Sequence, residues 1–456
     1  MFVRLTSFLV LLTSASLSFG FDNSRNDNVA VYWGQNSYGA THTSDTANWQ
    51  QKLAFYCQDD SIDAFPIAFL NVAFSTGNLP SIDLANICNV NDDPVFAGTN
   101  LPNCSFLASD ITTCQSKGKI VTISIGGATG AVSFTSQSQA QGFADTIWNT
   151  FLGGSSSTRP FGSAVLDGVD LDLEGGSSSF WPDFITQIRS HASGASKQYY
   201  VTGAPQCPFP DAYMGSIINA VGFDAVYVQF YNNYCGLGNF NNPNDWNFDQ
   251  WDTWAKTVSP NPNVKVYIGA PASSTAAGSG YVDVGTLGSI AQATRNQYSS
   301  FGGVMLWDAS QAYENGRYDA AIKQALASGG SGGSTTTSTT STTMTTTSKP
   351  ATTSTSTSSA PSTTTTAPSS GSCGVVAAWQ RNIAGGDQVT YSGHLWTAKW
   401  WSYGDVPGGT AGDWTDDGPC ASVKVAKTNY RTAVAHASIP TTAQTGPAPV
   451  PTIVVT

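Results

Sequence analysis

Between Leu166 and Gly176 the chain reads LDGVDLDLEGG, which places four carboxylates, Asp167, Asp170, Asp172 and Glu174, within eight residues. Val169, Leu171 and Leu173 alternate with Asp170, Asp172 and Glu174. An extended segment therefore turns these three carboxylates to one face and the apolar set to the other. Like charges stacked two residues apart repel strongly in a low dielectric, so at least one of the group holds a proton at neutral pH. A carboxyl kept neutral in that way is what general-acid cleavage of a glycosidic bond requires. Asp167 has the opposite parity and is expected to brace the strand rather than meet substrate. A surface acidic run and a metal site are the competing explanations, but neither calls for Val and Leu in strict alternation with the acids.

A strand of this kind needs neighbours to hold it. From Asn28 to Trp307 a short apolar run, turn residues and a longer polar or amphipathic stretch recur, the pattern of parallel strands joined by crossovers. Eight runs stand out: Val29–Tyr32, Ile67–Phe74, Ile120–Ile125, Val165–Leu173, Tyr199–Ala204, Ala225–Phe230, Val264–Gly269 and Gly303–Trp307. That number over this length predicts an α/β fold, a (β/α)8 TIM barrel with its site at the carboxyl ends of the strands. A doubly wound open sheet is the rival, but no G-x-G-x-x-G follows the first run. The run ends carry Tyr32-Trp33-Gly34-Gln35-Asn36, Ser124-Ile125-Gly126-Gly127, Gln229-Phe230-Tyr231-Asn232-Asn233 and Trp307, each adding polar or aromatic groups to one rim.

The D-x-x-D-x-D-x-E pattern from Asp167 to Glu174 resembles the signature of glycoside hydrolase family 18, the chitinases and their relatives. The order of the strand-end motifs over residues 28–325 is similar to the plant and fungal class III branch of that family. The resemblance implies a retaining reaction in which the 2-acetamido carbonyl of the sugar attacks its own anomeric carbon. Glu174 would protonate the leaving oxygen and later activate water. Asp172 would orient the acetamide, and Asp170, one step deeper, would share a proton with Asp172. Tyr231 would hold the acetamido carbonyl. Tyr32, Gln229, Gly126 and Gly127 would line the substrate pocket and Trp307 would form its floor. No metal and no organic cofactor is implied, and the four His residues show no metal-ligand spacing. The resemblance also implies the disulfides Cys57–Cys114, Cys88–Cys104 and Cys207–Cys235, a pairing that spacing alone leaves open.

Composition limits the partners. Only 11% of the 456 residues are charged and the formal net charge is −11, which argues against nucleic acid and anionic membranes and leaves neutral polymers open. Residues 1–20, with Arg4 and the apolar run FLVLLTSASLSF, resemble a secretory signal peptide too short to span a bilayer. Export accounts for eight cysteines. A catalytic barrel over 22–327 is followed by a Ser/Thr/Pro-rich stretch, 328–372, which reads as a disordered and glycosylated linker. Asn103-Cys104-Ser105 is an N-glycosylation sequon.

Residues 373–420 form a β-rich island with five Trp between Cys373 and Cys420, a size that usually needs a staple. The island resembles the small chitin-binding modules of carbohydrate-binding families 5 and 12, with Trp400, Trp401 and Tyr391 as the aromatic platform. Ile383-Ala384 stands where those modules often carry Tyr. The tail, 421–456, has no usable periodicity and is expected to be disordered. The expectation is a monomeric, extracellular endochitinase, free or wall-associated, whose partners are chitin and its oligosaccharides, with no membrane insertion. An endo-β-N-acetylglucosaminidase acting on N-glycans and a non-catalytic chitin-binding lectin or wall protein are the alternatives.

Overall fold

The protein, seen in a computed structural model, is described over residues 20–328 and, beyond them, over 382–383, 388–398, 402–403, 406–409 and 414–420. It divides into two compact units, Met1–Thr347 and Ser348–Thr456. The signal segment up to residue 19, nearly all of the 328–372 linker and the 421–456 tail lie outside the described residues.

The first unit is built on β1 (Asn28–Val31), β2 (Ala64–Val72), β3 (Ser81–Ile82), β4 (Ile120–Gly126), β5 (Gly168–Asp172), β6 (Tyr200–Gly203), β7 (Ala225–Gln229), β8 (Lys265–Pro271) and β9 (Phe301–Trp307). Eight of them pair in parallel in the order β1-β9-β8-β7-β6-β5-β4-β2, and β1 pairs again with β2, which closes a barrel. The short β3 joins antiparallel to β2, an addition that the apolar runs do not reveal. Helices fill the crossovers; Gln137–Phe151, for example, buries Ala140, Phe143, Ala144, Ile147 and Phe151, a stripe at helical spacing. Among the described residues no helix is long and apolar enough to cross a membrane.

Alternation along the strands sorts the residues into two layers. Val29, Val31, Val169, Leu171, Val201, Val226, Val228 and Ile268 pack outward in the large cluster shared with the helices. Ala30, Tyr32, Ala64, Ala68, Tyr227, Tyr267 and Met305 form a separate inner cluster. The inner layer is where Asp170 and Asp172 point, among small and aromatic side chains that leave room near the mouth. Disulfides join Cys57 to Cys114, Cys88 to Cys104 and Cys207 to Cys235.

In the second unit Gln388–Tyr391, His394–Ala398 and Trp414–Pro419 form an antiparallel sheet, and Asn382–Ile383 pairs with Ser402–Tyr403. Val389, Ala398 and Trp414 make its small core, with Trp396 packed against it. Tyr391 is half-buried and its carbonyl accepts the Trp396 indole N–H at 3.1 Å. Cys420 is disulfide-bonded. Trp400, Trp401 and Cys373 lie outside the described residues.

Candidate active site

The strand that carries the acids is shorter than the apolar alternation suggests, ending at Asp172. Asp170 and Asp172 therefore stand inside the barrel, 0% and 4% exposed, while Glu174 lies just past the strand end, partly open to the mouth. Ser124 and Gly126 of β4 are in register with Asp170 and Asp172. Any side chain at Gly126 would collide with the Asp172 carbonyl, since a Cβ there comes within 2.2 Å of it at φ +118°. Gly127 donates its N–H to that carbonyl at 2.8 Å, and a Cβ on it would press into the Phe69 ring. The two glycines thus let the backbone close against β5 and Phe69.

Each acid has a different set of partners. Asp170 accepts the hydroxyls of Tyr32 and Ser124 on Oδ2, both at 2.7 Å, and that of Thr202 on Oδ1 at 2.6 Å. Burial raises its pKa and the three hydroxyls hold it down. Both Asp170 oxygens therefore accept hydroxyl donors. Asp172 accepts one amide N–H, from Gln229 at 3.0 Å. Its pKa is driven well up, first by burial and then by the charges of Glu174, Asp170 and Asp211. Glu174 is pushed up to about 7, again chiefly by burial, with Asp211 adding to the rise while the Gln206 and Gln229 amides oppose it.

The remaining rim residues converge on the same space. A cleft of about 350 Å³ is lined by Asp172, Glu174, Gln229, Tyr231, Trp307, Gly126 and Gly127, together with Gln35, Phe69, Asn71 and others. Tyr231 is 7% exposed, and among the described residues its hydroxyl has no hydrogen-bond partner. Burial and the neighbouring Asp172 and Glu174 keep that phenol protonated. Trp307 stacks on Phe69, centroids 5.8 Å apart and planes at 18°, and tilts against Tyr32 at 5.6 Å. Tyr32 lies beneath, 1% exposed and committed to Asp170, so it supports the pocket from below. Asp167, at the other end of β5, accepts Val121 N–H at 2.7 Å and the Gln115 amide at 2.8 Å, and pairs with Lys197 at 2.9 Å.

Sequence reasoning missed Phe69, Gln206 and Asp211. Phe69 sits inside an apolar run and reads as core. Gln206 and Asp211 lie on the loop after β6, where the segment QCPFPD signals only a turn. Among the described residues no group of three or more His, Cys, Asp or Glu side chains is arranged to hold a metal ion.

A closed parallel barrel with stacked acids at its carboxyl mouth is the architecture of a glycoside hydrolase. The glycosyl hydrolases family 18 profile matches residues 28–405, and the chain belongs to that family. Chitinase 2 of Rhizopus oligosporus is 48% identical over 308 residues, 68% of this chain and 54% of the relative, so the chain spans about half of that protein's length. The class III chitinase of Arthroderma benhamiae is 40% identical over 340 residues, 72% of this chain and 94% of the relative. Among solved structures, the ICChI chitinase of Ipomoea carnea superposes with a TM-score of 0.55 at 34% identity, covering 65% of this chain and 99% of that one.

Proposed function

We propose that this protein is a secreted endochitinase that cleaves β-1,4 bonds between N-acetylglucosamine units with retention of configuration, using the substrate's own acetamide as nucleophile. The observation that carries the reading is the grouping in one cleft of Glu174, raised to about 7 and open to the mouth, with buried Asp172 and the unpartnered Tyr231 hydroxyl. Glu174 donates its proton to the departing glycosidic oxygen, then takes one from the incoming water. Asp172 accepts the acetamide N–H and balances the positive charge that develops on the ring. Tyr231 donates to the acetamido carbonyl and holds it in line with the anomeric carbon, replacing a bimolecular encounter with a positioned one. Trp307 offers a flat apolar face to the reacting sugar, braced by Phe69.

Asp172 and Glu174 lie two residues apart at one strand end, an arrangement poorly suited to two carboxylates flanking a ring from opposite sides. A nucleophile from the substrate removes that need and restricts the reaction to N-acetylated sugars. The 1–20 segment and the three disulfides support export. The Trp-rich island, with Trp400, Trp401 and Tyr391, is assigned to binding insoluble chitin and raising the local concentration of the barrel on it.

The test is hydrolysis of colloidal chitin and of a soluble N-acetylglucosamine oligomer by the wild type and Glu174→Gln, with product anomers followed at early times. β-Anomers from the wild type and a rate at least about 10²-fold lower in Glu174→Gln support the reading. α-Anomers would exclude the acetamide mechanism. A folded wild type that binds chitin without cutting it would make the protein a lectin, and cleavage confined to N-glycan cores would make it an endo-β-N-acetylglucosaminidase.

A further inference from the structure

Asn71 stands one residue short of the end of β2. Leu70 packs outward in the large cluster and Phe69 inward, so alternation turns Asn71 inward, to the cleft that it lines. Leu70 is in register with Ile125 and Ile125 with Leu171, which sets Asn71 at the level of Gly126 and Asp172. Its backbone is fixed without help from the side chain: the carbonyl accepts Ala131 N–H at 2.7 Å, and Val72 bridges to Ala131. The other carboxamides of the cleft are committed. Gln35 Nε2 donates to the Ala68 and Asp83 carbonyls, both at 2.9 Å. Gln229 Nε2 donates to Asp172 and to the Ala204 carbonyl, both at 3.0 Å, and Asn232 Oδ1 accepts Ser279 N–H at 3.0 Å. The Asn71 carboxamide has no hydrogen-bond partner among the described residues: its Oδ1 is buried and unpaired, and its Nδ2 is left as a donor at the cleft wall. Such an amide costs stability, and packing does not account for it.

We propose that Asn71 is a specificity-determining residue of this cleft, its Nδ2 donating to the acetamido carbonyl of the sugar next to the reacting one. The inference rests on the hydrolytic reading above and deepens it. β2 and β7 lie four places apart in the closed ring of eight strands, so Asn71 faces the site from the side opposite Tyr231, which follows β7. Tyr231 holds the acetamide of the reacting sugar. In a β-1,4-linked chain successive sugars turn their 2-substituents to opposite sides, so when one acetamide meets Tyr231 the next is directed to the wall that carries Asn71. A free amide N–H suits a neutral amide carbonyl, and a glucosamine unit presents an amine or ammonium in place of that carbonyl. The cleft thus reads acetylation at two consecutive sugars, one through the chemistry and one through binding.

The test is a cycle of one change in the protein and one in the substrate. kcat and KM are measured for the full chain and for Asn71→Ala on a soluble N-acetylglucosamine oligomer, either fully acetylated or with a single glucosamine beside the reacting sugar, and thermal unfolding is followed alongside. On the acetylated oligomer Asn71→Ala is expected to lower kcat/KM about tenfold, chiefly through KM, the size of one lost hydrogen bond. Placing glucosamine beside the reacting sugar is expected to lower the wild type by a similar factor and Asn71→Ala by less than about twofold. The melting temperature should hold or rise, because an unpaired buried acceptor is removed. If the two losses multiply instead, or if kcat/KM on the acetylated oligomer does not change, the inference is overturned. A fall in melting temperature with KM unchanged overturns it as well and makes Asn71 a structural residue. If Asn71→Ala does not fold, Asn71→Leu, which keeps the size and removes the donor, takes its place with the same kinetic expectations. If the wild type does not hydrolyse the oligomers, the hydrolytic reading fails, while calorimetric binding of the two oligomers to the same proteins still decides the role of Asn71.

Discussion

The barrel treats its carboxylates in opposite ways at its two ends. At the amino ends of the strands, Asp63 precedes β2, Asp167 precedes β5 and Asp224 precedes β7. Each accepts a backbone N–H from a neighbouring strand, of Val29, Val121 and Val201 respectively, at 2.7 to 2.8 Å. Each also has a cation: Lys323 on Asp63 at 2.6 Å, Lys197 on Asp167 at 2.9 Å and Arg189 on Asp224 at 2.8 Å. At the carboxyl ends, Asp170, Asp172 and Glu174 have hydroxyls and amides in place of a cation, and burial raises their pKa values as it also raises that of Asp63. The same residue type staples strands where a cation faces it, and faces only neutral donors and its fellow acids at the mouth. A buried carboxylate is therefore read as functional or structural by its partners more than by its burial.

Variants at the mouth are expected to give the largest effects, on rate alone. Asp172→Asn and Tyr231→Phe each remove an interaction made to the developing charge or to the nucleophile, and kcat on a soluble oligomer should fall about 10²-fold or more. Thermal unfolding of the same variants should stay level or rise, because the mouth holds its charges at a cost to stability. A large drop in melting temperature would place these residues with the floor group.

The floor should answer in the other quantity. Lys323→Met leaves Asp63 buried without its cation, 3% exposed in the paired state, and should cost roughly 3 kcal/mol in chemical denaturation. The pH profile of hydrolysis should not move. The smallest effect is the pH dependence of stability. Glu174 has an ordinary value of 4.5 and a folded value of about 7, so between them the folded protein binds more protons than the unfolded chain. Stability therefore falls as pH rises through that window, and Asp170, Asp172 and Asp211, also raised, act in the same sense. Glu174→Gln should flatten this slope, gaining melting temperature over the wild type at the alkaline end, as scanning calorimetry at several pH values would show.

The division between mouth and floor also marks what could be read from the sequence. The acids of β5 and the eight barrel strands declare themselves through local alternation, and Tyr231 and Trp307 through their place at strand ends. Boundaries shift where turn residues begin: Val165–Leu173 contracts to Gly168–Asp172, which leaves Glu174 two residues past the strand end, at the mouth. The floor pairs stay hidden because Asp63 meets Lys323 across a sequence separation of 260 residues, which no local pattern encodes. Asp211 is hidden for a related reason: its segment reads as turn chemistry, and nothing local shows that its carboxylate accepts the N–H groups of Gln206, Tyr213 and Met214. In the second unit, Trp396 and Trp414 belong to the small core, so five Trp in a short segment did not by themselves say which are free to bind.

The central claim, that the mouth keeps a proton on Glu174 near neutrality for delivery to the leaving group, is tested most directly by the pH dependence of kcat/KM on a soluble N-acetylglucosamine oligomer. An alkaline limb centred near pH 7 that coincides with the carboxyl ¹³C titration of Glu174 is the predicted result. A rate that holds constant from about pH 5 to about pH 9, or a Glu174 that titrates in the ordinary carboxylate range, would contradict it.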